Sequence, residues 1–185
     1  VGLKERRIVI NIMPIITENL NDEQRREAFY LSKFIASSSV GLFDAALNYL
    51  WNETILNLRS KIIRFDINYF YDSTISDPKK RAKFQSEEDL NDLDDWELIR
   101  GAKETGIISD IGYRHLDYIR DMRNFASAAH PNQTEITGLL LAGWLETCIR
   151  EVLAKEPSGP VVEIKRLLYS IRTEHLDATS IAPTI

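Results

Sequence analysis

Residues 123–132, RNFASAAHPN, hold an arginine and a histidine that are separated by six residues. On a helix, Arg123 and His130 are two turns apart, so they point the same way and lie about 10 Å apart along the axis. Histidine can give or take a proton near neutral pH, and arginine can bind phosphate oxygens through two parallel hydrogen bonds. Such a pair is suited to attack on a phosphodiester, where a proton moves while negative charge builds on the phosphate oxygens.

The helix that carries this pair is predicted to begin after a Ser109 or Asp110 N-cap and to stop before Pro131. At 100° per residue it has an apolar and a polar stripe about 140° apart. The apolar stripe consists of Ile111, Tyr118, Met122, Phe125 and Ala129, and the polar stripe consists of Arg120, Arg123, Ser127 and His130. The polar stripe is either the solvated side of an amphipathic helix or half of an anion site. Because one histidine cannot easily be both base and acid in one step, an active site would need two such helices in a two-fold dimer.

The composition is typical of one globular domain of 185 residues, 44% hydrophobic and 28% charged. No apolar run reaches the roughly 18 residues that cross a bilayer, and no secretory signal is evident, so we expect no membrane association. The single cysteine, Cys148, excludes an intramolecular disulfide framework, and these features together favour the cytoplasm. The net charge of −5 argues against non-specific coating of nucleic acid but allows a local basic contact.

Two charged runs of opposite sign lie close together, PKKRAK at 78–83 and EEDLNDLDDWE at 87–97. Both runs are consistent with solvent-exposed segments on either side of a loop. The alternative is that the basic run contacts phosphate while the acidic face repels it elsewhere. The acids lack the spacing of a metal loop, and the sequence has no glycine-rich phosphate loop, zinc spacing or serine nucleophile elbow. We therefore expect neither a metal nor another cofactor.

The apolar periodicity predicts an all-α helical bundle with one long central helix. Residues 1–20 are β-branched around Pro14 and are predicted as a short extended N-terminal arm, which leaves residues 21–185 as the helical domain. The central helix is predicted from apolar residues at steps of three and four between Phe43 and Tyr69.

The helix predicted over residues 134–156 is apolar nearly all round between Gly138 and Leu145, so we expect it to be the most buried. Gly138 and Gly143 within it suggest that another helix approaches closely. Cys148 lies in the same segment without a paired histidine and is interpreted as structural. The tryptophans are interpreted as packing residues and not as platforms for nucleic-acid bases: Trp51, Trp96 and Trp144.

The arrangement of Arg123, Asn124 and His130 resembles that of the HEPN domains, all-α proteins whose nuclease members carry an arginine, four to six residues and then a histidine. This chain has six intervening residues, and Asn124 occupies the position where many members have a polar residue. The motif is predicted to end its helix, and another long helix follows. In architecture the resemblance covers about residues 20–175, and in specific residues it covers these three.

This resemblance implies metal-independent RNA cleavage in a cleft shared by two protomers, in which the ribose 2′-hydroxyl attacks its own phosphate and leaves a 2′,3′-cyclic phosphate. It implies that His130 moves protons, that Arg123 holds the scissile phosphate, and that Asn124 orients one of them. The helical wheel adds Arg120 and Ser127 as candidates for substrate binding. The resemblance also implies a toxin or phage-defence effector that an antitoxin or a second regulatory domain holds inactive.

Two other functions agree with the same sequence. One is a non-catalytic HEPN-like module that dimerises or docks a partner within a larger defence or regulatory protein, which the acidic balance favours because it poorly suits a free-standing RNA binder. The other is a helical regulator of transcription, although no short helix–turn–helix with a basic recognition helix stands out. A cleft between protomers at Arg123 and His130 would favour the nuclease, and open solvent there would favour the module.

Overall fold

The computed structural model describes residues 1–127, 135–155 and 159–173, and within these ranges every regular element is a helix. The predicted all-α fold is confirmed. The helices are α1 (Leu3–Thr17), α2 (Asp22–Glu27), α3 (Leu31–Val40), α4 (Phe43–Phe65), α5 (Ile67–Thr74), α6 (Pro78–Arg81), α7 (Asp95–Glu104), α8 (Asp110–Ser127), α9 (Gly138–Cys148) and α10 (Gly159–Thr173). A 3₁₀ turn (Glu88–Asp92) precedes α7, and a π-helical turn (Ile149–Leu153) continues α9. Each helix in the described ranges is too short or too polar to span a bilayer.

The N-terminal segment is helical, so the predicted extended arm over residues 1–20 is wrong. α1 buries Val9, Met13 and Ile16 and packs against α9 and α3. The spacing of these three residues is helical, and the burial of their common face outweighs the low helix propensity of the β-branched side chains around them. Pro14 lies in the last turn of α1, where it cannot donate the usual helical hydrogen bond to the carbonyl of Ile10.

α4 is the longest helix in the described ranges, at 23 residues, and it packs against α3, α7, α8 and α9. Its largest fully buried side chains are Leu47, Leu50, Trp51, Leu58 and Ile62. The single helix predicted as far as Tyr69 ends at Phe65 instead. Asp66 has an extended backbone, and its side chain accepts a hydrogen bond of 2.8 Å from the Tyr69 N–H, so it caps a new helix, α5.

α1 and α9 approach each other closely at Gly138. The Gly138 N–H donates a hydrogen bond of 2.6 Å to Glu5 Oε2, and a Cβ at this position would lie 2.3 Å from the Glu5 carbonyl oxygen. The predicted close approach is therefore confirmed at Gly138. It is wrong at Gly143, where a Cβ would have no described atom within 4 Å. α9 buries six of its 11 residues, although Leu139 and Leu140 are 65% and 39% exposed.

Cys148 is fully buried in the core, as its interpretation as a structural residue requires. Burial raises the pKa of its thiol to about 12, so the reactive thiolate is absent at neutral pH.

Trp144 is buried and contacts the ring of Tyr118 edge-on, with 6.4 Å between the two ring centroids. Trp96 is partly exposed, and its ring centroid lies 4.6 Å from the guanidinium carbon of Arg100.

Candidate functional site

α8 directs Arg120 and Arg123 towards the rest of the fold. The side chains of these arginines are only 16% and 23% exposed, and Leu116 and Ile119 on neighbouring faces of the helix are buried. α8 packs against α7 and α4 on this side. At Arg120 and Arg123 the polar stripe is therefore not the solvated side of the helix, which was one of the two interpretations of the sequence.

Three residues of the apolar stripe of α8 lie at the surface instead. Ile111, Tyr118 and Phe125 are 65%, 52% and 39% exposed, whereas Met122 is partly buried against the core. An apolar stripe normally faces the core. Here Leu116 and Ile119 pack in the core, and Arg123 beside them has partners on α7 and α4, so these three residues are left at the surface.

Arg123 is held between a carboxylate and an aromatic ring. Its Nη2 donates a hydrogen bond to Asp95 Oδ2 in the first turn of α7, and its guanidinium carbon lies 5.6 Å from the ring centroid of Trp51. The same Asp95 oxygen accepts a hydrogen bond of 2.6 Å from Trp51 Nε1. Charge and the cation–π contact together fix the guanidinium. Arg123 Nε has no hydrogen-bond partner among the described residues, so one donor is unused.

An open groove of about 770 Å³ lies beside Arg123 and Asn124. The remaining residues that line it are Asp94, Asp95, Trp96 and Arg120. Arg120 pairs with Asp117 at 3.0 Å and with Asp121 at 2.8 Å, and its Nη1 has no partner within the described part of the chain. The structure thus brings together three residues that were predicted for the site, Arg120, Arg123 and Asn124.

Two residues that were predicted for the site cannot be placed relative to the groove. His130 and the side chain of Ser127 lie outside the described residues. The backbone of α8 is described as far as Ser127, three residues before His130. The relation of His130 to the groove therefore stays a prediction.

The two groups that hold Arg123 were missed by the sequence analysis. Asp95 belongs to the acidic run that was interpreted as solvated, and Trp51 was expected only to pack. Asp94 caps α7 through a reciprocal pair of hydrogen bonds with Glu97, which leaves Asp95 in the first helical turn and free to face α8. This local capping pattern was visible in the sequence, but nothing local relates Asp95 to a residue 28 positions later.

The basic run at 78–83 is engaged within the fold. Lys80 pairs with Glu97, and Arg81 pairs with Asp72 at 2.7 Å and donates a hydrogen bond of 2.6 Å to the Phe84 carbonyl oxygen. In these contacts, basic side chains of the run form ion pairs with acidic side chains of the same protein surface. They give no support to the interpretation of the run as a phosphate contact.

The chain matches no protein-family model, no curated protein and no solved structure.

Proposed function

We propose that the protein is a HEPN-type endoribonuclease that cleaves RNA without a metal ion. The main observation in its support is that Arg123, Asn124 and Arg120 line one groove, on the helix that leads towards His130. Both arginines also have one buried N–H donor without a described partner. A guanidinium is planar and carries several N–H donors, which suits a phosphate with its several acceptor oxygens.

In the proposed reaction His130 takes the proton of a ribose 2′-hydroxyl, whose oxygen attacks the adjacent phosphorus. The bond to the 5′-oxygen of the next nucleotide breaks, and His130 of a second copy donates the proton that this oxygen needs. Arg123 offsets the charge that builds on the non-bridging oxygens, and Asn124 orients the phosphate or the histidine. Arg120 and Ser127 would contact the strand nearby. The products are a 2′,3′-cyclic phosphate and a 5′-hydroxyl.

The proposed biological setting is that of a toxin or phage-defence effector in the cytoplasm, restrained by an antitoxin or a second regulatory domain. The internal pairing of Arg123 with Asp95 supports a restrained site, because the arginine is not free in the chain as it stands. A substrate phosphate must replace that carboxylate or share the guanidinium with it.

A metal-independent reaction predicts that cleavage of a labelled RNA proceeds at an unchanged rate when EDTA is added. Mass spectrometry should find 2′,3′-cyclic phosphate ends, since the attacking oxygen belongs to the substrate. The matched control is the same RNA with 2′-O-methyl groups, which lacks the attacking hydroxyl and should remain intact. Loss of activity in EDTA, or products with 5′-phosphate ends, would contradict the proposal.

An apolar surface on the outer side of α8 supports the proposed homodimer. Tyr118, Leu139 and Leu140 line a groove of about 340 Å³ between α8 and α9, and all three are exposed. Ile111 on α8 adds a further exposed apolar side chain. Contiguous apolar surface of this kind is stabilised when a partner covers it. A second copy with the same surface would form a two-fold interface.

Replacing Leu139 with glutamate is expected to abolish dimerisation, because it places a charge in the apolar groove. Light scattering should then give a mass near the 21.3 kDa of one chain, against about twice that value for the unmodified protein. Leu42→Glu is the matched control, since Leu42 is 55% exposed and lies before α4, outside this groove. A monomeric unmodified protein, or equal effects of both substitutions, would exclude this interface.

The second candidate function is a non-catalytic HEPN-like module that dimerises or docks a partner. The ion pairs of Arg123 with Asp95 and of Arg120 with Asp117 favour it, because a purely structural arginine would be neutralised in the same way. An intact dimer that cleaves no RNA would establish this function in place of the nuclease.

A further inference from the structure

A second cavity adjoins the groove on the other side of Asp95. It has a volume of about 260 Å³, and Tyr30, Trp51, Asn52 and Arg59 are among the residues that line it. Asp95 lines both the cavity and the groove. A single carboxylate and the Trp51 ring beside it therefore separate Arg59 from Arg123.

Arg59 brings an uncompensated positive charge to this cavity. Its Nε is buried and has no hydrogen-bond partner among the described residues, and no described carboxylate forms an ion pair with it. The negative charge of Asp95 is already shared between Arg123 and Trp51 Nε1. A partly buried guanidinium without an anion is unfavourable, so an anionic ligand in the cavity would stabilise it.

Positive charge continues beyond the cavity along α3. The ammonium nitrogen of Lys33 lies 5.2 Å from the ring centroid of Tyr30, which lines the cavity, and 5.7 Å from that of Tyr49. Lys33 is exposed. Arg59 thus shares Asp95 with the groove of Arg123, and it shares the cavity with Tyr30, the ring beside Lys33. Several neighbouring positive charges are typical of a polyanion binding site.

We propose that Arg59 binds a phosphate of the RNA strand next to the phosphate that Arg123 holds, and that the strand is single. The inference rests on the proposed function, because it takes RNA as the ligand. The cavity is too small for a duplex but admits one phosphate, which the guanidinium of Arg59 would bind through two hydrogen bonds. Asn52, exposed at the rim, offers further donors to the same strand.

The test measures binding separately from cleavage. Fluorescence anisotropy gives the Kd of a short 2′-O-methyl oligonucleotide, which cannot be cleaved, for the unmodified protein and for Arg59→Ala. The substitution is expected to raise the Kd about tenfold and to lower the slope of log Kd against log salt by about 0.7. Arg114→Ala removes the same charge from an exposed position of α8 outside both cavities and should change the Kd less than about twofold.

Equal Kd values for Arg59→Ala and Arg114→Ala would overturn the inference. If circular dichroism shows that Arg59→Ala does not fold, the Kd of Arg59→Lys tests the inference instead. This substitution keeps the positive charge but removes the bidentate hydrogen-bond geometry of the guanidinium. Arg59→Lys is expected to bind the oligonucleotide about threefold more weakly than the unmodified protein, and an unchanged Kd would overturn the inference.

A protein that binds the oligonucleotide but cleaves no RNA contradicts only the proposed nuclease activity. Cleavage with a Kd that is insensitive to Arg59 contradicts only the Arg59 contact.

Discussion

Replacing His130 with alanine is expected to reduce RNA cleavage by about 10²- to 10⁴-fold, because general acid–base catalysis by a positioned side chain contributes that much. In the proposed reaction both proton transfers depend on this residue, one in each copy. The measurement is the initial rate of cleavage of an end-labelled RNA. The fold and the dimer should persist, since the imidazole is assigned to the reaction and not to the core.

The matched control for this experiment is His175→Ala, because His175 has no arginine at the spacing of the motif. Its cleavage rate should equal that of the unmodified protein. Thermal unfolding and light scattering must show both variants folded and dimeric. If His130→Ala cleaves RNA at the original rate, the assignment of proton transfer to His130 is wrong.

The largest effect on stability is expected for Gly138→Ala, which should lower the free energy of unfolding by about 2–3 kcal/mol. The new Cβ would lie 2.3 Å from the backbone oxygen of Glu5, and a backbone atom cannot turn aside as a side chain can. α9 would have to move away from α1 and weaken the hydrogen bond from the Gly138 N–H to Glu5 Oε2. Urea unfolding followed by circular dichroism measures the change as a lower midpoint at constant slope.

Gly143→Ala in the same helix is the matched control. No described atom lies within 4 Å of its Cβ position, so alanine gains helix propensity without a clash. We expect the free energy of unfolding to rise by about 0.5–1 kcal/mol. If both substitutions change stability in the same direction and by the same amount, the close contact of α1 with α9 is not the cause.

The helix starts that depend on neighbouring residues were predictable. Asn21 caps α2 in a reciprocal pair with Gln24, and Ser109 Oγ accepts a hydrogen bond of 3.0 Å from the Gly112 N–H at the start of α8. Both caps use residues within one turn of each other, so their chemistry is visible in a short window. The left-handed conformation of Gly41 after α3 has the same local origin.

The elements whose form depends on distant contacts were less predictable. The helical spacing of Val9, Met13 and Ile16 was present in α1, but β-branched neighbours and Pro14 indicated an extended chain. Packing against α9 decides between the two.

The rotation of α8 was unpredictable for a related reason. Tyr118 is more apolar than Arg123, yet Arg123 faces inward because Asp95 and Trp51 compensate its charge there. These partners lie 28 and 72 residues away in the chain, so no local pattern identifies them.

The shared position of Asp95 has a consequence for which anions the groove accepts. Asp95 is tethered to the fold and acts as an intramolecular competitor, always present at a high effective concentration beside Arg123. A small monoanion that displaced it would exchange one negative charge for another and gain nothing. A polymer that carries charge at every repeat can displace it and bind at further points simultaneously. If the protein binds RNA as proposed, we therefore expect the groove to bind small anions weakly and polyanionic chains more tightly.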